Sequence, residues 1–375
     1  MGLHRFEHRA ALAYESRMKP SDLTLQRLYN QRLAGTLFES PGDVVQWFLA
    51  VQAQDYPGSL WGIGLRLREA TEERVEQAVA DRIIVRTWPM RGTLHFVAAA
   101  DIRWMLQLLA PRVIAQNARR LLKEYGLDEA VLARSRGLLV RSLRDGKQFT
   151  RNAIYRELEA AGIATSGGRG LQILWRLAQE GLICFGTRQG KQHTFTLLDE
   201  WLPKSRSPAH DEALEELTRR YIESHGPATV QDFAWWSGLP AAEAQAGLEM
   251  IKAHLEKTVI GEREYWGPPP TSAAREPLRP MHLLPAYDEY TVAYKDRSIL
   301  LDPPAANRVG VASTILNPTI VINGRVIGTW KRAVTRGSVV VTALPFAPLG
   351  KAEKQALNEA AGRYGAFLRT PVSLA

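Results

Sequence analysis

Gly168-Arg169-Gly170-Leu171-Gln172-Ile173-Leu174-Trp175-Arg176-Leu177-Ala178-Gln179-Glu180-Gly181 runs directly into Leu182-Ile183-Cys184-Phe185-Gly186-Thr187-Arg188-Gln189-Gly190-Lys191-Gln192-His193-Thr194-Phe195-Thr196-Leu197. The first run has helical spacing. Leu171, Leu174, Leu177 and Ala178 share one side, while Arg169, Gln172 and Arg176 occupy the other. Gly181 closes it. The second run changes period: two apolar and β-branched segments flank Gln189-Gly190, with Arg188 and Lys191 on either side of the tip, which predicts a hairpin. Upstream, Thr150 is placed to cap a helix holding Ile154 and Leu158 and ending near Gly162. Helix, helix, hairpin is a winged-helix outline. Such a module sets its basic second helix in a DNA groove and its hairpin on the backbone or in the minor groove. A hairpin tip kept soluble by Arg and Lys reads equally well.

The outline repeats on both sides. Over about 23–96, Ser40-Pro41-Gly42-Asp43 starts one helix and Thr71-Glu72-Glu73 another. Segments 82–87 and 92–97 then read as strands joined by Trp88-Pro89-Met90-Arg91. A helix over about 101–124 follows, with Arg103, Arg112, Arg119, Arg120 and Lys123 making a basic face that is either solvated or laid along phosphates. Over about 211–266, Thr229 caps a helix bearing Phe233 and Trp236, and Ser237-Gly238-Leu239-Pro240 turns into the next. That second helix, 241–249, is neutral to acidic and would repel phosphates, so it reads as scaffold.

Gly267-Pro268-Pro269-Pro270 is a linker signal. Beyond it come strand-like segments at 282–285, 291–294, 319–322, 325–330 and 338–341, with Asn323-Gly324 as a tight turn, and a closing helix over about 351–368. The expected fold class is α+β: three tandem winged-helix modules and a C-terminal antiparallel sheet or partial barrel. The expected divisions are an extension at 1–20, modules at 21–125, 126–203 and 204–266, and the β-rich part at 267–375.

At 375 residues, with 45% hydrophobic and 23% charged residues, the composition is that of a globular protein of several modules. Lys and Arg number 48 against 39 Asp and Glu, a net charge of +9. This favours a polyanionic partner, nucleic acid before a membrane surface. Cys184 is the only cysteine, so an internal disulfide, a cysteine zinc finger and an iron–sulfur cluster are excluded. No apolar stretch approaches the ~20 residues of a membrane span. The first 18 residues lack the apolar centre of a secretory signal and read as a loosely packed extension. The expected location is the cytoplasm, at the nucleoid when bound to DNA.

Gln52-Ala53-Gln54 carries the chemistry. Two carboxamides two residues apart can aim at one point only where the chain is extended or leaving a helix, because i and i+2 diverge on a regular helix. Glutamine takes no proton at any useful pH, but it can orient a water and offer carbonyl lone pairs to a developing cation. That suits cleavage of a bond between a sugar and a cationic base. By spacing alone, a polar helix exit fits better. No Asp/Glu/His set at metal-ligand spacing lies near the pair, and Asp55 alone is not a metal site. No cofactor is expected.

The sequence resembles the winged-helix DNA glycosylases of the AlkZ and AlkX type, formerly winged-helix DNA-binding proteins of unknown function. The resemblance runs from about Leu23 onward. It rests on Val51-Gln52-Ala53-Gln54, Trp61-Gly62-Ile63-Gly64-Leu65-Arg66 and Met90-Arg91-Gly92-Thr93-Leu94-His95. It rests also on Asp232-Phe233-Ala234-Trp235-Trp236-Ser237-Gly238-Leu239, Leu284-Pro285-Ala286-Tyr287-Asp288-Glu289-Tyr290, Tyr294-Lys295-Asp296-Arg297 and Asn323-Gly324-Arg325-Val326-Ile327-Gly328-Thr329-Trp330-Lys331.

The resemblance implies a concave DNA-binding surface and monofunctional excision of cationic N7- or N3-alkylated purines, bulky or crosslinked adducts included. Gln52 and Gln54 stand at the outer positions of the family's catalytic Gln-x-Gln or Gln-x-Asp motif. Gln rather than Asp at the second position resembles the toxin self-resistance branch.

Candidate DNA contacts are Arg86, Arg91 and His95 in the first wing and Arg169 and Arg176 on the second-module helix. Arg188, Gln189 and Lys191 in the hairpin, and Lys295, Arg297, Lys331 and Arg332 in the C-terminal part, complete them. His95 also reads as a structural hydrogen-bond partner. Asp288 orients substrate or water, or pairs internally with Arg297 or Lys295. Trp235, Trp236, Tyr287 and Tyr290 read as packing residues before base-stacking ones. The partner is double-stranded DNA with alkylated purines, and the absence of coiled-coil heptads suits a monomer. A winged-helix transcription regulator and a non-catalytic binder of damaged DNA are the competing readings.

Overall fold

A computed structural model describes residues 19–269, 281–301, 317–335 and 337–375. The expected extension (residues 1–18) and part of the linker (from Pro270) lie outside the described residues.

Three helix-rich units each end in a hairpin. The first holds helices Pro41–Phe48, Tyr56–Gly64 and Glu72–Ala80, then strands Ile84–Met90 and Thr93–Ala98. Between the first two helices, Ala50–Gln52 adds a third strand, antiparallel to Thr93–Ala98. Helix Ile102–Tyr125 leads to the second unit, of helices Glu129–Ser142, Arg151–Ala160 and Arg169–Gln179 and strands Ile183–Gln189 and Gln192–Leu197. The helix Glu129–Ser142 was not anticipated. The third unit holds His210–His225, Val230–Ser237 and Ala241–Ile251, and strands Glu256–Ile260 and Arg263–Gly267.

The helix starts follow from local chemistry. Ser40 Oγ accepts the Asp43 N–H while the Asp43 carboxylate accepts the Ser40 N–H, satisfying two otherwise orphaned donors. Thr229 and Asp232 repeat this arrangement, and Thr150 Oγ1 accepts the Ala153 N–H. In the first hairpin the strand extends through Trp88 and Pro89 to Met90, so the turn is narrower than expected. It is made by Arg91 and Gly92, with φ of 53° and 72°, as a two-residue hairpin turn requires.

The C-terminal part is a five-stranded sheet that curls into a half-barrel. Its order is Val372–Leu374, Ser338–Pro345, Arg325–Thr335, Thr319–Ile322, Met281–Leu284. Two expectations are corrected here. The edge strand Val372–Leu374 runs parallel to its neighbour, so the sheet is mixed rather than antiparallel. Residues 291–294 form no strand: helix Glu289–Val292 ends there, its Tyr290 N–H held by Asp288 Oδ1. Asn323 and Gly324 make the expected tight turn, with φ of 47° and 80°.

The cores cross the units. Phe48, Trp61 and Phe96 of the first unit pack with Leu283, Trp330 and Phe367 of the C-terminal part. Trp104 packs with Tyr221 and Trp236 of the third unit and with Tyr294. These shared cores fix the Gln52 segment against the rest of the chain.

Candidate active site

Gln52 ends the strand Ala50–Gln52, and Gln54 lies two residues on, before the Asp55 N-cap of helix Tyr56–Gly64. The segment is strand-like, the geometry that brings i and i+2 to one face. Ala53 is fully buried, Gln52 half-buried and Gln54 exposed. The peptide between the glutamines is clamped. The Ala53 N–H donates to Leu94 O at 2.7 Å, and its carbonyl accepts from Arg86 Nε and Nη2 at 3.1 and 2.8 Å. Gln54 Oε1 accepts the Leu94 N–H at 2.8 Å, which orients the carboxamide and leaves one carbonyl lone pair over.

Beneath Gln52 sits a group that the sequence reading did not single out. The Gln52 N–H donates to Glu289 Oε1 at 2.8 Å. Glu289 is 2% exposed, and its other oxygen lies 3.0 Å from Trp236 Nε1 and 3.3 Å from His225 Nε2. Burial opposes its charge, yet the donors from His225 and Gln52 bring its carboxyl below the ordinary range. Burial likewise lowers His225. A neutral imidazole donating to a carboxylate satisfies both directions. A buried negative charge therefore stands behind the Gln52 backbone. Its only signal in sequence is its place beside Asp288 in Tyr287-Asp288-Glu289-Tyr290.

Arg86 and His95, expected among the DNA contacts, are both buried, and His95 takes the structural role also expected of it. Arg86 is turned inward onto Ala53 O and stacks over Tyr56 and Phe185, 5.2 and 4.8 Å from their ring centres. Burial brings its pKa down to about 10. His95 is fully buried, its Nδ1 3.0 Å from Thr93 O. Burial and then Arg91 lower its pKa to about 3, so it is neutral. Arg91 holds the Trp236 carbonyl from a partly buried position. Asp288 pairs with neither Arg297 nor Lys295. It receives both Nη atoms of Arg66 at 2.9 Å in a pair that is almost wholly buried. Both Asp288 oxygens are thus engaged within the fold, Oδ1 also accepting the Tyr290 N–H.

The remaining candidates sort by what holds them. Arg169 bonds to Tyr125 O and Gly126 O, and Arg176 pairs with Glu129 and Glu180. Arg188 pairs with Glu76, which also accepts Tyr56 Oη at 2.9 Å, and this ties the second hairpin to the first unit. Arg332 lies 4.0 Å from Asp55 and bonds to Tyr364. Arg297 lies over the Trp235 ring at 5.5 Å. Gln189, Lys191, Lys295 and Lys331 are exposed. Trp236 and Tyr290 are buried as expected, whereas Trp235 is 46% exposed, with its Nε1 donating to Val292 O. Among the described residues, no three His, Cys, Asp or Glu gather to hold a metal ion. The arrangement sets two neutral carboxamides, one held by the Leu94 N–H, in front of a buried carboxylate.

The family described as DNA glycosylase AlkZ-like matches residues 45–367. An interstrand DNA cross-link repair glycosylase of Streptomyces sahachiroi is 28% identical over 378 residues, covering 93% of this chain and 97% of that protein. The solved structure of DNA glycosylase AlkZ from the same organism aligns with a TM-score of 0.74 at 23% identity, covering 96% of this chain and 100% of that one. At that identity the structural likeness speaks for the fold.

Proposed function

Since this chain belongs to the AlkZ-like family of DNA glycosylases, we propose that it hydrolyses the N-glycosidic bond of cationic N7- or N3-alkylated purines in duplex DNA. Its repertoire includes bulky adducts and crosslinks, in keeping with the crosslink repair activity named for the relative. The observation that carries this reading is the fixed, extended Gln52-Ala53-Gln54 segment with a buried carboxylate behind it.

An alkylated purine is already positively charged and leaves readily. Water held by the two carboxamides attacks C1′ as the C1′–N bond breaks. The bonding electrons go to the departing base, which leaves neutral, and the water proton passes to solvent. The carbonyl dipoles and the Glu289 charge favour the positive sugar over the neutral ground state. Neither Gln is a base, so general-base help, typically ~10²–10⁴-fold, is missing. Neutral lesions such as uracil should therefore be poor substrates.

The helix–hairpin units act as three tandem winged helices forming a concave surface, divided near 125, 203 and 266. The exposed Gln189, Lys191, Lys295 and Lys331 supply phosphate contacts, and the chain works as a monomer. An open concave surface suits large adducts, which a closed base pocket would reject. Release of N7-methylguanine from a labelled duplex tests the reading. Gln52→Ala and Gln54→Ala should each lose most activity while retaining DNA binding. Unchanged rates in both would overturn the mechanism, and sequence-specific footprinting without base release would point to a regulator.

A further inference from the structure

A cavity of about 430 Å³ opens between the first and second hairpins. It lies within the size range of small-molecule sites. Its walls are aromatic: Trp88 and Phe195 lie nearly parallel, at 8°, and Phe185 is tilted against both. Leu94, whose N–H is held by Gln54, lines the same space. The cavity is thus next to the glutamines but separate from them.

We propose that this cavity receives one unstacked, uncharged nucleobase of the bound duplex, a neighbour or opposite of the lesion and not the lesion itself. Arg86, Arg151 and Lys191 line it, and among the described residues no carboxylate does. A cationic alkylpurine is the wrong guest for three cations, because like charges in one site repel strongly. A neutral base carrying its own phosphate is the right one: the ring lies against the edge that the packed Trp88–Phe185–Phe195 cluster leaves open, and Arg151 and Lys191, both exposed, take the phosphate. His193, also in the lining, has no hydrogen-bond partner for its ring nitrogens among the described residues. Burial, with Arg86 and Arg188, lowers its pKa to about 4. It therefore presents one donor and one acceptor to a base edge at neutral pH. Holding a displaced neighbour would open the duplex beside the lesion and admit the Gln segment to C1′.

The inference rests on the reading that the chain engages damaged duplex DNA, and its test is made by binding so that the two can fail separately. Duplexes would carry one N7-methylguanine on a 2′-fluoro sugar, which resists base loss. A tetrahydrofuran abasic residue would replace each flanking or opposing base in turn. With the full chain, abasic replacement at one position should weaken binding by about five- to a hundredfold, the range that base–aromatic stacking covers. Leu171→Trp, which fills the cavity mouth from a residue 39% exposed, should abolish that position dependence. Lys191→Ala should weaken binding to all the duplexes.

A flat profile in a chain that still releases base overturns the cavity alone. So does position dependence that survives Leu171→Trp, or a dependence confined to the alkylated base. Loss of base release in Gln52→Ala with an unchanged binding profile supports both proposals. Failure to bind any of the duplexes overturns both.

Discussion

The Glu289 carboxylate accepts the backbone N–H of Gln52 at 2.8 Å across 237 residues of sequence. This bond joins the C-terminal part to the end of the strand that carries Gln52. It also gives the site a negative charge that water does not screen, since Glu289 is 2% exposed. Because the same carboxylate takes Trp236 Nε1, the third unit is fastened at the same point. A shift in either would be felt at Gln52.

Glu289→Gln tests the charge while keeping the shape. The amide oxygen can still accept from Gln52, but its NH₂ would face Trp236 Nε1–H, leaving that donor unsatisfied. We expect a stability loss of about 1–3 kcal/mol, read by urea denaturation. We also expect a larger fall in single-turnover base release than in DNA affinity. A variant as active as the parent would show that the Glu289 charge plays no part in the reaction.

Asp288→Ala should be costlier to the fold than to the chemistry. It strips Arg66 of a bidentate partner in a buried pair, and an uncompensated buried charge costs about 3–5 kcal/mol. Arg66 would retain Gln31 O and Gly62 O. The double variant Asp288→Ala with Arg66→Met should recover part of the loss, since no lone charge remains. Denaturation of the three variants measures the coupling, and strictly additive losses would refute it.

How much of this was legible depended on whether the signal was local. The spacing of Gln52 and Gln54 left an extended segment and a helix exit both open, with the helix exit the better fit, whereas Ser40, Thr150 and Thr229 announce helix starts because a cap is a bond between near neighbours. The closing helix Lys351–Leu368 was likewise readable from its own residues. Arg86 was not. Its strand is buried on both faces because the second hairpin packs over it, which removes the inside–outside alternation on which a strand reading depends. Residues 291–294 have β-branched and aromatic character, yet Asp288 caps a helical turn and burial of Tyr290 and Tyr294 settles it. Glu289 was not singled out, since acids are seldom fully buried unless paired. Its partners, Gln52, His225 and Trp236, are remote in sequence.

Acid should destabilise the protein well above the usual carboxylate range. Burial lowers His95 to about 3 and His193 to about 4, and it lowers His225 as well, whereas an unfolded histidine titrates near 6.5. Below pH 6.5 the unfolded chain takes protons that the folded chain cannot. The stabilisation is therefore complete above about pH 6.5 and is lost as pH falls towards the folded values. Each fully buried histidine contributes up to about 1.4 kcal/mol per pH unit over that window. Glu289, lowered in the fold, adds a loss of the same sign below its unfolded value. His210, raised first by its hydrogen bond to Asp211, acts oppositely, and its exposure makes that term small. Thermal melts at pH 7.5, 6 and 5 should show Tm falling with pH. His95→Asn, which can still donate to Thr93 O but does not titrate, should flatten the profile. A Tm independent of pH between 7.5 and 5 would contradict the buried, neutral state of these imidazoles.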